Sequence, residues 1–460
     1  MKKNYQALFN PKTIAVIGAN ESEGFGGAAC RNLLEYIDDP ERIYFVNPKR
    51  DMLHGKKCYH SISEVPADIE MAVIATNKKT VIPILKEGSG KGLKAAVIFA
   101  SGFSETGREE DIELEKELVR TAEELDITIL GPNCAGFSNF QDGINPFAFL
   151  SEKRDRKGCI GIISQSGMIS LSLNDNQYTR FSYNISCGNS SLLTMPDLIR
   201  FMADDEETRV IGLYIDGVKD LDAFEQAVAY AKEKGMRIAL IKSGSNEMTR
   251  LLTKNHTGSV ESFPNEKFNA LLKQYGITRC RDLEELIYTL CIFAYCERLP
   301  KSNRVAAITL SGGEAALMGE TAEGFDLAFP PFDEGLTKYL EERLPAYAHV
   351  SNPLDMTAVL SYDAEILADA LIHVMQQKQI DAILFGYTLL YHIDDPCIYY
   401  LIEALKIVRK KLGEETKPLF LVSFMSNTRN QDAIDRLREL GVICLPTPYY
   451  AYRVLTGILG

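Results

Sequence analysis

Six histidines occur in the 460-residue chain, and one of them, His256, sits in the small, polar loop Lys254-Asn255-His256-Thr257-Gly258-Ser259. A loop histidine is most often solvated and idle. What distinguishes this one is the segment upstream. Ile162-Ile163-Ser164-Gln165-Ser166-Gly167 reads as a strand running into a tight turn and a helix start. Backbone N–H groups at such a start, joined here by two serine hydroxyls, make an anion site. The loop is too tight for a pyrophosphate, so its expected ligand is a phosphate, held by Ser164, Gln165, Ser166 and Gly167. A neutral imidazole can attack phosphorus and is a fair leaving group afterwards. Phosphoryl transfer asks mainly for positioning and charge stabilisation, which helix N-termini supply. Asp216, just past the apolar run Val210–Ile215, is the carboxylate expected to fix the tautomer of His256.

A second chemical feature lies nearer the N-terminus. Ile14-Ala15-Val16-Ile17-Gly18-Ala19-Asn20 ends a strand on glycine, and Gly24, Gly26 and Gly27 precede a helix. Such a turn either brings backbone N–H groups to a phosphate or lets the helix pack closely on its strand. The spacing is not GxGxxG. A fold tuned for NAD wants an acid at the end of its second strand; here that strand runs into Asn47-Pro48-Lys49-Arg50. Two cations there suit a phosphorylated ribose, as in coenzyme A or NADP, or are solvated loop charges. The strand-end loops Ala75-Thr76-Asn77, Ser101-Gly102-Phe103 and Gly131-Pro132-Asn133-Cys134 complete the set. Cys134 has no activating neighbour in sequence, so a buried, inert thiol is expected.

These residues need a scaffold of strands and helices. Short β-branched runs alternate with helical stretches from end to end, the mark of parallel α/β sheets. Expected strands are 13–17, 43–46, 71–75, 95–99 and 127–130. A second set is 160–163, 183–186, 210–215 and 238–242. A third is 305–310, 326–328, 382–385, 419–423 and 442–445. Polar breaks at 140–158 and 299–304 separate the sets, so three consecutive doubly wound Rossmann or flavodoxin-like domains are expected, over 1–145, 146–299 and 300–460.

Bulk composition narrows the function classes. The net charge of −13 argues against nucleic acid and anionic membranes as partners. Ten cysteines without a CxxC pair, and no leader-like or spanning apolar run, fit a cytoplasmic protein with reduced thiols. No metal-ligand spacing is seen, and no structural metal is expected.

Taken in order, these motifs resemble the α subunit of ADP-forming acyl-CoA synthetases, the acetate–CoA ligase branch of the succinyl-CoA synthetase superfamily. The resemblance spans Pro11–Ala19, Val46–Lys49, Ser101-Gly102-Phe103 with Glu105 and Gly107, Gly131–Cys134, Ser164–Gly167, Lys242-Ser243-Gly244, His256-Thr257-Gly258 and Asn352-Pro353-Leu354-Asp355-Met356-Thr357. It implies that the first domain binds coenzyme A, through Gly18, Ala19, Asn20, Gly26, Gly27, Asn47, Lys49, Ala75, Thr76, Asn77, Ser101, Gly102, Phe103, Glu105, Asn133 and Cys134. It implies that phosphate attacks an acyl-CoA, that the phosphoryl group passes from the acyl phosphate to His256, and that an ATP-grasp β subunit carrying ADP or ATP with Mg receives it. All three sets of strands are already assigned, so that partner is expected on a separate chain or a longer one.

The sequence departs from the family pattern at Asp216, where Glu is usual, at Leu310-Ser311-Gly312-Gly313, and at Cys187-Gly188-Asn189-Ser190-Ser191. Asp216 and the third-domain change motivate a second reading, a CoA- or acyl-CoA-sensing module with a degenerate catalytic half. An NAD(P)-dependent oxidoreductase is a third, but it leaves the Ser164–Gly167 turn and His256 without a role.

Overall fold

The computed structural model describes residues 3–153, 157–176, 178–244, 248–249, 264–390, 395–426 and 430–460. His256 and its loop lie outside the described residues.

Strands buried on both faces read as continuous apolar runs, and the inner strands of the first sheet are built this way. Its strands are β1 (Ile14–Ile17), β2 (Ile43–Val46), β3 (Met52–Leu53), β4 (Lys56–Tyr59), β5 (Met71–Ile74), β6 (Ala95–Ile98) and β7 (Thr128–Leu130), in the order β3-β4-β2-β1-β5-β6-β7. The main strands are parallel; only β3 and β4 pair antiparallel. Chain order reverses at β1, whose neighbours are β2 and β5. Open α/β sheets bind ligands outside the carboxyl ends of the strands at such a reversal.

The second sheet comprises β8 (Gly136–Asn139), β9 (Lys157–Ser164), β10 (Phe181–Ser186), β11 (Val210–Ile215), β12 (Arg237–Lys242) and β13 (Thr278–Arg279), in the order β13-β12-β11-β9-β10-β8. Its reversal falls between β9 and β11. The edge strand β8 runs antiparallel to β10 and comes from before residue 146. The third sheet has β14 (Val305–Thr309), β15 (Leu354–Asp355), β16 (Ala382–Gly386), β17 (Leu419–Val422) and β18 (Ile443–Leu445), all parallel, in the order β15-β14-β16-β17-β18. The expected strand at 326–328 is not formed: Ala328 makes one isolated bridge to Arg304.

The described chain groups into two compact units, Met1–Cys280 and Arg281–Gly460. The first holds two sheets because the helix Tyr5–Phe9, which precedes β1, packs on the second sheet. The Phe9 ring lies 4.9 Å from Phe137, 5.8 Å from Tyr183 and 4.6 Å from Phe201. In the second unit, Glu285 on the helix Leu283–Tyr295 meets Arg453 on the helix Pro448–Leu459 at 3.0 Å. That unit therefore begins before residue 300. Among the described residues no helix is long and apolar enough to cross a membrane.

Candidate functional site

The strand-end loops of the first sheet form a cradle around β1. Gly18 N donates to Val46 O at 2.9 Å, and a Cβ on Gly18, which has φ +84°, would stand 2.7 Å from Ala75 O. A Cβ on Gly26 would stand 2.4 Å from Gly18 O. These glycines are thus needed for close packing, whatever else they do. Asn47 Nδ2 donates to Ala19 O at 2.8 Å, and its Oδ1 accepts from Lys49 N at 2.9 Å. That Asx turn holds the exposed Lys49 at the mouth. Asn20 Nδ2 reaches Gly18 O at 3.3 Å, and Asn77 caps the next helix through Lys79 N at 3.0 Å. Thr76 Oγ1 accepts from Thr80 at 2.7 Å. Gly27 lies in the helix Phe25–Tyr36 that covers β1.

The loop Ser101-Gly102-Phe103 is held by carboxylates. Glu105 accepts from the N–H groups of Gly102 and Phe103, and Glu115 accepts from Ser104 N at 3.0 Å. Lys78 donates to Gly102 O at 2.6 Å and pairs with Asp111. That pairing holds the Asp111 carboxyl down at about 2. Ser101 itself is exposed. Cys134 is buried, and burial pushes its thiol up to about 12. It stays protonated at neutral pH, which suits packing and not nucleophilic attack.

At the reversal of the second sheet, Ser164 Oγ donates to Ser166 O at 2.8 Å and accepts from Ser166 N at 3.1 Å. Ser166 then caps the helix Gly167–Asn174 through Ile169 N. Gln165 ties this turn to the end of β11. Its Oε1 accepts from Asp216 N at 2.6 Å and Gly217 N at 3.0 Å, and its Nε2 donates to Gly217 O at 2.9 Å. Asp216 is only 6% exposed, and its Oδ1 accepts from Ser243 Oγ at 2.7 Å. The buried Lys242 puts its Nζ 3.0 Å from Asp216 O. Ser164, Gln165, Ser166, Gly167 and Asp216 therefore converge, with Lys242 and Ser243 added, on a helix N-terminus suited to an anion. His256 is not among the described residues.

A residue just past the second sheet's β10 ties the cradle loops to that sheet, and the sequence marked its stretch only as a departure from the family pattern. Asn189 follows β10. Its Nδ2 donates to Glu105 at 2.6 Å and to Glu115 at 2.9 Å, and its Oδ1 accepts from Asn133 at 3.2 Å. Asn189 O accepts from Lys219 Nζ at 2.7 Å. Ser191 Oγ donates to Glu115 at 2.6 Å. Burial raises the Glu115 carboxyl, but these hydrogen bonds prevail and hold it below the usual range. A signal for Glu115 existed: Asp111, Glu115, Leu118 and Ala122 are spaced as one helix face, and all are buried. A carboxylate on a buried stripe requires partners.

Residues 12–139 match a family described as "CoA binding domain", and residues 157–293 one described as "Succinyl-CoA ligase like flavodoxin domain". The chain is 33% identical to the α subunit of acetate–CoA ligase [ADP-forming] I from Pyrococcus furiosus, over 98% of this chain and 96% of that one. It is 35% identical to acetate–CoA ligase [ADP-forming] from Methanocaldococcus jannaschii over 75% of its own length, but spans only about half, 48%, of that relative. A solved structure of dinucleotide forming acetyl-coenzyme A synthetase 1 from Ca. Korarchaeum cryptofilum, in complex with phosphate and ADP, superposes with a TM-score of 0.79 at 26% identity, covering 99% of this chain and 96% of that one.

Proposed function

The chain belongs to the ADP-forming acetate–CoA ligase α-subunit family, and on that premise we propose that it interconverts acyl-CoA, phosphate and ADP with a carboxylic acid, CoA and ATP. Coenzyme A occupies the cradle around β1, with Lys49 against one of its phosphates. Phosphate occupies the turn at Ser164–Gly167.

A phosphate oxygen attacks the thioester carbon, the C–S bond breaks, and the departing CoA sulfur takes the proton that phosphate gives up. His256 then attacks the phosphorus of the acyl phosphate, the P–O bond to the acyl group breaks, and the carboxylate leaves. Phosphohistidine finally donates its phosphoryl group to ADP on an ATP-grasp β subunit, with Mg held there. Asp216, braced by Gln165 and Ser243, takes the other ring nitrogen of His256.

The observation that carries this reading is the Ser164–Gly167 turn at the reversal of its sheet, locked to Asp216-Gly217 by three hydrogen bonds of Gln165. The test mixes the chain with an ATP-grasp partner, Mg, ADP, phosphate and acetyl-CoA. ATP should form, and an acid-labile, base-stable phosphoryl group should appear on the chain. A His256→Asn variant that still took up that group would refute the assignment.

A further inference from the structure

A cavity of about 130 Å³ opens at the carboxyl ends of the second sheet's strands, beside the phosphate turn. Met195, Val218, Ala223 and Phe224 make its lining mostly apolar, Lys219 and Asp220 add two charged groups, and Gln165 borders it on the side of the turn. The Gln165 amide is already engaged by Asp216 and Gly217, so it serves there as a wall.

Ser190 also lines this space. It is only 8% exposed, its φ is +51°, and its hydroxyl has no nitrogen or oxygen partner. The Cys187 thiol interacts with it, but sulfur is a weak partner. Buried polar atoms are normally satisfied, and a non-glycine residue in the left-handed region is uncommon away from functional sites. Both features fall on one residue that lines this cavity. For size, a cavity of roughly 150 Å³ is enough to admit benzene.

We propose that this cavity receives the body of the acyl group, and that the preferred acid is a compact branched or cyclic one of about four to six carbons. The proposal rests on the ligase reading above. The carboxyl carbon lies at the Ser164–Gly167 turn, where phosphate meets it. The body of the acid passes Gln165 into the apolar space, with Ser190 Oγ at its side. An acetyl group would leave most of that volume empty.

The test measures thioester formation by the chain with its ATP-grasp partner, using ATP, CoA and either acetate, 3-methylbutanoate or phenylacetate. The kcat/KM for 3-methylbutanoate should exceed that for acetate. Ala223→Leu, which fills the cavity, should lower the ratio of 3-methylbutanoate to acetate by roughly 10- to 200-fold. Val218→Ala, which enlarges it, should raise the ratio of phenylacetate to acetate. A wild-type preference for acetate, or ratios that neither variant moves, overturns the proposal. If no acid supports thioester formation, the ligase reading falls instead, and the cavity is decided by thermal shift with 3-methylbutanoate alone. A shift that Ala223→Leu abolishes upholds the cavity as a site for the acid; no shift removes it.

Discussion

The turn after β9 and the turn after β14 are the same device with different contents. Ser164 Oγ donates to Ser166 O and accepts from Ser166 N at 2.8 and 3.1 Å; Thr309 Oγ1 does the same with Ser311 at 2.7 and 3.2 Å. Each turn follows the strand at which its sheet reverses, and each starts a helix, Gly167–Asn174 or Gly312–Thr321. Between the hydroxyl residue and the serine lies Gln165 in one turn and Leu310 in the other. Gln165 ties its turn to the next strand end. Leu310 has no polar atoms to do so. The third-sheet turn instead gathers acids: a Cβ on Gly312 would stand 3.1 Å from Asp355 Oδ2, and Glu314 lies in the first helical turn. Burial, with Asp355 nearby, raises the Glu314 carboxyl, while its bond from Thr388 acts the other way. The hydroxyl pair builds the turn, and the residues around it decide what the turn can hold.

The sharpest way to break this comparison is to exchange the distinguishing residues. Gln165→Leu should cost about 10²-fold in kcat for ATP formation, the scale of a roughly 1 Å misplacement of the reacting groups once the turn is unlocked from Asp216-Gly217, while circular dichroism stays native. Leu310→Gln should not produce an equal loss; equal losses would erase the distinction. Next in size is Asn189→Ala. It strips partners from the carboxylates of Glu105 and Glu115, and should lower stability by about 1–3 kcal/mol in urea titrations while raising KM for CoA more than it lowers kcat.

The two hydroxyls themselves should be equivalent. Ser164→Ala and Thr309→Val each remove one buried hydrogen-bonding pair, and each should cost about 1 kcal/mol. A marked inequality would mean the turns are not the same device. The smallest effect concerns pH. The folded pKa of Glu314 lies above its unfolded one, so its contribution is fully present below the ordinary glutamate range and is lost as pH rises through the raised value. Thermal melts from pH 4 upward should show a decline that Glu314→Gln reduces.

Much of this architecture was readable from residue order. Ile14–Ile17, Ile43–Val46 and Val210–Ile215 are buried apolar runs whose length and flanks mark parallel strands. The Ser164–Gly167 turn was equally plain, since a glycine and two serines close a strand and open a helix. Two-residue strands such as β3, β13 and β15 have too little sequence to show a period. Asp326–Ala328 looked like a strand but found only the single bridge to Arg304. Asn189 was illegible for a different reason: its role depends on loops that are 56 and 84 residues away in sequence and meet only in the fold. That the Ser190 hydroxyl lacks a nitrogen or oxygen partner is invisible to sequence on the same grounds.

The central claim is that a phosphoryl group is made at the Ser164–Gly167 turn and then carried by His256. The most direct measurement is the rate at which the chain acquires an acid-labile, base-stable label from radioactive phosphate and acetyl-CoA, in wild type and in Gln165→Leu. The label should map to His256 and, with the turn unlocked and the reacting groups misplaced, form about 10²-fold more slowly in the variant. Labelling at the wild-type rate in Gln165→Leu, or a label on any other residue, would contradict it.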